Sequence, residues 1–248
     1  MTLQACADLV RRGDPDRFAA AMAGPVEARK VLFPLYAFNL EVARAPWVAS
    51  EPMIGEMRLQ WWRDALEEIA KGGPVRRHEV TTPLGEVLDA EAARLLDRGV
   101  AARRWDLYRE PFGDGAHFGE YLEATGGTLM WVAARALGAA EDARGEVTAL
   151  GRAAALARFL QAVPELEARG RVPLVDGRAE AVRALAEGAL AELPRRVALP
   201  GLGRAALLEG WQARPLLVRA ARDPAAVAEG RLALSEFRKR LGLFLAAL

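Results

Sequence analysis

Tyr36-Ala37-Phe38-Asn39-Leu40-Glu41-Val42-Ala43-Arg44-Ala45-Pro46-Trp47 is the stretch on which the fold turns. It closes a run, residues 26–45, whose apolar positions recur every three or four residues, the spacing of one helical face. Pro34 inside this run is expected to kink the helix, and Pro46 to break it. Ser50 then caps a second helix with Pro52 in its first turn. That helix carries Met57, Leu59, Trp61, Trp62, Leu66 and Ile69 and stops at Lys71-Gly72-Gly73-Pro74.

The same period extends outward in both directions, and nowhere does the alternation of a strand persist. Leu9, Phe18 and Met22 sit in short helices interrupted at Gly13-Asp14-Pro15, with Asp14 the N-cap. Further helices are expected at 82–97, 101–109, 114–137, 141–163, 176–193, 203–222 and 229–247. The connections 71–78, 164–176 and 194–201 are short, and neither repeat nor composition shift divides the chain. The expectation is one all-α domain over residues 1–248.

Composition removes several function classes. Basic and acidic residues number 34 and 33, so the basic excess of a nucleic-acid binder is missing. Cys6 stands alone, with only His78 and His117 beside it, which excludes a disulfide framework and a Cys/His zinc site. Two serines, Ser50 and Ser235, give little to a serine-hydrolase reading. No window is apolar enough to span a membrane and no secretory signal is evident, so a cytoplasmic protein is expected.

Several motifs, in order, resemble those of the squalene/phytoene synthases. Tyr36-Ala37-Phe38 is similar to the start of that family's first metal-binding helix, which reads Tyr-Ala-Phe-Cys-Arg-x-x-Asp-Asp-x-x-Asp. Asp14-Pro15-Asp16-Arg17-Phe18, the run from Gly55 to Asp64, and Tyr121-Leu122-Glu123-Ala124-Thr125-Gly126-Gly127-Thr128 resemble other family segments. Leu150-Gly151-Arg152-Ala153 through Glu165 falls on the second metal motif, and Gly170-Arg171-Val172-Pro173-Leu174 on the family segment just C-terminal to it. The resemblance implies the isoprenoid synthase fold, an all-α helical bundle around a central cavity. Phe38-Asn39-x-Glu41-x-Ala43, with Gln60-Trp61-Trp62, further resembles a branch thought to be non-catalytic and to act in assembly of respiratory complex I.

Laid on this chain, the family pattern puts Ala43, Arg44, Trp47, Ala162 and Leu166 where five aspartates belong, and Arg158 where asparagine belongs. The family ionises a prenyl diphosphate against magnesium held by such carboxylates, because a hard cation wants oxygen ligands. Arg44 reverses the local field. Two unit charges about 4 Å apart interact by roughly 4 kcal/mol at an effective dielectric near 20. Neither catalytic residue, metal nor other cofactor is therefore expected. The alternative is an active magnesium-dependent prenyltransferase with rearranged ligands.

Other acids offer no ready substitute. Glu41 points away from the lost positions, and Asp64, Glu67 and Glu68 read as a solvated face. Arg44 and Arg158, with Tyr36 and Tyr121, are candidates to hold a phosphate or lipid headgroup in the cleft. The plainer reading pairs Arg44 with Glu41 and Arg158 with Glu165. Trp47 should fill the polar end of the cleft, and Trp105, Trp131 and Trp211 the core. The basic-then-apolar run 237–245 either docks on the core or rests on an anionic membrane at the inner face. The partners expected are a protein client or membrane-associated assembly intermediate, and an isoprenoid or lipid ligand.

Overall fold

The structure, a computed structural model, describes residues 2–49 and 51–248. Every regular element among the described residues is helical. The chain opens with α1 (Leu3–Gly13) and α2 (Pro15–Ala23), divided where expected. The Asp14 carboxylate accepts from the Arg17 amide at 2.9 Å, which caps α2.

A single 3-10 turn, Val26–Ala28, leads into α3 (Arg29–Val48), which runs through both Pro34 and Pro46. The expected break at Pro46 does not occur. A proline so near the C-terminus removes one hydrogen bond from a helix already ending, and the chain turns extended at Ala49. Glu51 occupies the N-cap of α4 (Pro52–Ala70), and the proposed Ser50 cap lies outside the described residues. α4 ends as anticipated: Gly72 adopts φ +68°, and the Gly72 amide donates to the Ile69 carbonyl.

The expected helix at 82–97 is two, α5 (Thr81–Gly85) and α6 (Ala90–Ala102), because Asp89 caps the second by accepting from Ala92 N at 2.8 Å. Residues 103–107 form a 3-10 turn. The helix expected at 114–137 is continuous but changes pitch: α7 (Gly115–Leu122), a π segment (Glu123–Gly127), then α8 (Thr128–Ala136). Thr125 Oγ1 donates back to the Tyr121 carbonyl at 2.7 Å. The glycines do not break the helix; they let it approach its neighbour. A Cβ on Gly126 would sit 2.4 Å from Ala155 Cβ, and one on Gly151 2.8 Å from the Gly126 carbonyl.

That neighbour is α9 (Arg144–Ala168), which passes through Pro164, so the loop expected from 164 begins later. Next comes α10 (Ala179–Glu192). The long helix expected at 203–222 is α11 (Arg204–Leu207), a 3-10 turn at Leu208–Gly210, and α12 (Ala213–Arg222). A short α13 (Ala225–Ala228) precedes the helix expected at 229–247, which begins only at residue 236 as α14 (Glu236–Ala247). α9 packs against the π segment, α8 and α12, while α3 packs against α1, α4 and α8. Between them runs one apolar cluster that includes Leu35, Phe38, Trp62, Trp131, Leu160 and Leu217. Burial of this kind, roughly 25 cal/mol per Å² of apolar surface, is the main force holding the bundle.

Candidate functional site

Between α3, α9 and the π segment lies a cleft of about 250 Å³. Ala43 and Trp47 on α3 and Ala162 and Leu166 on α9 line it, each pair one helical turn apart. Four of the five altered motif positions therefore line one cleft, two from each helix. Arg44 does not line it: it is half exposed, 3.7 Å from Glu41. The expected facing pair of Arg44 and Arg158 is thus corrected. On a helix, residue 44 stands about 100° from residue 43 and cannot share its outlook.

The cleft's cations are Arg17, Arg103 and Arg158. Arg17 Nε donates to Glu209 Oε2 at 2.5 Å, and Arg17 Nη1 to Asp14 Oδ2 at 2.9 Å. Arg158 reaches Glu209 as well, donating Nη1 to Oε2 at 3.4 Å and Nη2 to the backbone carbonyl at 2.9 Å. Its expected partner, Glu165, pairs instead with Arg169 at 2.6 Å. Across the cleft, Arg103 Nη1 donates to Asp106 Oδ2 at 3.1 Å and to the Tyr121 hydroxyl at 2.9 Å. That hydroxyl donates in turn to Asp106 Oδ1 at 2.9 Å. The three guanidinium groups lining the cleft therefore meet three carboxylates, and beside them Arg171 donates to the Trp105 and Asp106 carbonyls.

Local electrostatics follow from burial. Desolvation works against the Arg17 charge, but Glu209 and Asp14 outweigh it and hold the guanidinium more firmly protonated than usual. Burial pushes the Tyr121 hydroxyl up, so it stays neutral and serves as a hydrogen-bond relay. Tyr36 is pushed up by burial and by Glu209. It is buried behind Arg17, whose Cζ lies 5.7 Å from its ring centre, and does not line the cleft. Of the four residues singled out for anion binding, Arg158 and Tyr121 face the cleft, and Arg44 and Tyr36 do not.

Tyr121 and Phe159 line the cleft and back onto an aromatic cluster. Trp105 stacks on Phe112 at 3.9 Å, and Tyr121, Phe118 and Phe159 close around them. Trp47 covers the mouth, with the Arg169 guanidinium 4.2 Å from its ring centre. Trp131 is core, as expected, and Trp62 packs edge-on against Phe38 while Trp61 lines an outer groove with His78.

The family's magnesium does not fit these side chains. A divalent ion needs several oxygen ligands free to turn toward it. The motif positions offer methyl, indole and isobutyl groups, while Asp14, Asp106 and Glu209 are engaged by arginine. No group of three or more His, Cys, Asp or Glu among the described residues is placed to hold a metal. Asp64 and Glu67 border a larger outer groove of about 530 Å³, where Arg63 forks onto Asp97 and Lys71 reaches Glu67, while Glu68 pairs with Arg76 at 2.6 Å. These acids form a solvated, ion-paired face, as anticipated.

Sequence reading missed Arg17, Arg103, Asp106 and Glu209. Arg17 stood inside a quoted motif but was read only beside a cap. Glu209 gave one faint signal, an acid between leucine and glycine in an apolar segment.

The family model for squalene/phytoene synthase matches residues 10–176. Among curated proteins, the Bos taurus NADH dehydrogenase (ubiquinone) complex I assembly factor 6 is 27% identical over 180 residues. That match covers 67% of this chain and 51% of the relative. The Drosophila melanogaster homolog is 29% identical over 179 residues, covering 68% and 53%. The chain thus spans about half the length of the curated relatives it matches. Among solved structures, a dehydrosqualene synthase superposes with TM-score 0.75 at 14% identity, over 98% of this chain and 94% of that one. Squalene synthase HpnC from Alicyclobacillus acidocaldarius gives 0.62 at 17% identity, over 97% and 94%. Such low identity speaks to the fold, which is that of the isoprenoid synthases. With the model spanning most of its length, this chain belongs to the squalene/phytoene synthase family.

Proposed function

We propose that this protein is a non-catalytic member of its family, serving as an assembly or accessory factor for respiratory complex I. One observation carries the reading. The positions where the family holds its metals are here alkyl and indole, and each arginine lining the cleft is paired with a carboxylate. Such a cleft neither traps magnesium nor attracts a diphosphate strongly. At about 250 Å³ it is also smaller than the roughly 300–1,000 Å³ typical of pockets for drug-sized ligands. Two long prenyl chains do not fit such a space. The similarity to complex I assembly factors supports the assembly role. In this reading the protein works peripherally at the inner face of the membrane, on a protein client, and its fold serves as a scaffold.

Two measurements test it. Incubation with farnesyl or geranylgeranyl diphosphate and magnesium should yield neither squalene, phytoene nor released diphosphate. Deletion in the source organism should lower assembled complex I and leave isoprenoid content unchanged. Product formation, or an isoprenoid defect with normal complex I, rejects the proposal.

A further inference from the structure

α14 is docked by the wrong side of its sequence. Its body-facing residues are Lys239, Gly242, Leu243 and Ala246, at spacing i, i+3, i+4, i+7. Trp211 Nε1 donates to the Lys239 carbonyl at 3.3 Å, and Lys239 Nζ reaches Asp16 Oδ1 at 3.4 Å. Gly242 lies under the same indole, where a Cβ would already touch Cδ1 at 3.4 Å. This attachment uses Leu243 beside small and polar groups, and no residue of α14 is fully buried.

Five other large apolar side chains point the other way. Phe237, Leu241, Phe244, Leu245 and Leu248 lie at i, i+4, i+7, i+8 and i+11, and all are exposed, Phe237 by 73% and Phe244 by 61%. At about 100° per residue they form one stripe, roughly half a turn from the docked face. Scattered surface apolar residues are ordinary; a continuous stripe of five is not.

Charge decides what covers it. α14 carries three cations, Arg238, Lys239 and Arg240, and one acid, Glu236, which lies 3.7 Å from Lys239 on the docked side. Arg238 and Arg240 flank the stripe on opposite sides, and neither guanidinium has an ion-pair partner among the described residues. A second copy packed stripe to stripe would bring arginine against arginine. A planar anionic surface instead meets both arginines while the aromatic and aliphatic groups sink between headgroups.

We infer that α14 is a membrane-surface helix, which seats the protein on anionic lipid through Phe237, Leu241, Phe244, Leu245 and Leu248, with Arg238 and Arg240 as electrostatic flanks. This deepens the reading of a membrane-side accessory factor and rests on it for location. No described helix is long and apolar enough to cross a membrane, so attachment of this kind is by one face.

Vesicle flotation of the full chain tests it. The protein should float with phosphatidylcholine–phosphatidylglycerol vesicles and much less with phosphatidylcholine alone. F237E/F244E should abolish flotation without changing the thermal midpoint, because both side chains are exposed. R238Q/R240Q should weaken it by about thirtyfold at low salt and flatten its salt dependence. Absence of flotation with the anionic vesicles, or flotation indifferent to both double variants, overturns the proposal. So does a dimer in sedimentation velocity that F237E/F244E dissolves while vesicles bind nothing. A normal complex I level after deletion would reject the proposed function and leave this lipid binding intact.

Discussion

Arg17 and Glu209 stand 192 positions apart and meet at 2.5 Å, with Glu209 fully enclosed and Arg17 nearly so. Arg17 is also tied to Asp14, and Glu209 to Arg158, so one chain of charges joins the start of α2, the middle of α9 and the turn before α12. A buried pair is not a bonus in itself, since desolvation opposes its attraction. Its consequence is conditional: once two such groups are enclosed, neither tolerates loss of the other.

Removing one partner should therefore cost far more than removing both. Glu209→Gln should destabilise by about 3–5 kcal/mol, and Arg17→Met with Glu209→Leu by clearly less. Urea denaturation reads both. A single variant within about 0.5 kcal/mol of the parent would mean the pair is already solvated.

Acid should weaken the same network. Burial raises the Asp14 carboxyl, but Arg17 and Arg158, with the Arg17 amide, outweigh it and leave it below its ordinary 3.8. A depressed folded value means that ionised Asp14 favours the fold. The contribution is full above pH 3.8 and fades as pH falls through the lower folded value. The stability gap between the parent and Asp14→Asn, which keeps a capping oxygen, should be present at neutral pH and close below about pH 4. A gap constant with pH contradicts this.

Two glycines separate packing from propensity. Gly126→Ala places a methyl group against Ala155 and the Gly151 carbonyl, and should destabilise by about 1–3 kcal/mol. Gly188 lies inside α10 with open space around its Cα, so Gly188→Ala should stabilise by about 0.5–1 kcal/mol. Thermal melts with opposite shifts support the close crossing of the π segment and α9; equal shifts do not.

The lone thiol should be inert. Cys6 is fully buried, and desolvation, with Glu79 adding to it, pushes its pKa up to about 11. Alkylation by iodoacetamide at mildly alkaline pH should be slow in the native protein and fast in urea. Rapid native labelling would show that α1 opens readily.

Much of this molecule was legible in its residues one at a time. Asp14 before Pro15 fixed the start of α2, and Lys71-Gly72-Gly73 the end of α4, because caps and left-handed glycines act within a few residues. The loss of acids at 43, 47, 162 and 166 was equally plain, since i, i+4 spacing already implies a shared face. Position 44 was the exception, assigned to the cleft by pattern although the helical turn carries it outside. Pro46 misled for a related reason: its cost depends on distance from the helix end.

The helical class and the absence of carboxylates from the motif faces were readable from the residues alone, because both are local properties of period and side-chain type. Which charges fill the cleft, and which face α14 leaves outward, came only with folding. Glu209 is one acid among 33 acidic residues until folding encloses it against Arg17. The polarity of α14 likewise has no direction until Trp211 and Asp16 hold one side of it. Long-range pairing is a choice among many partners of the same chemistry, and packing makes that choice.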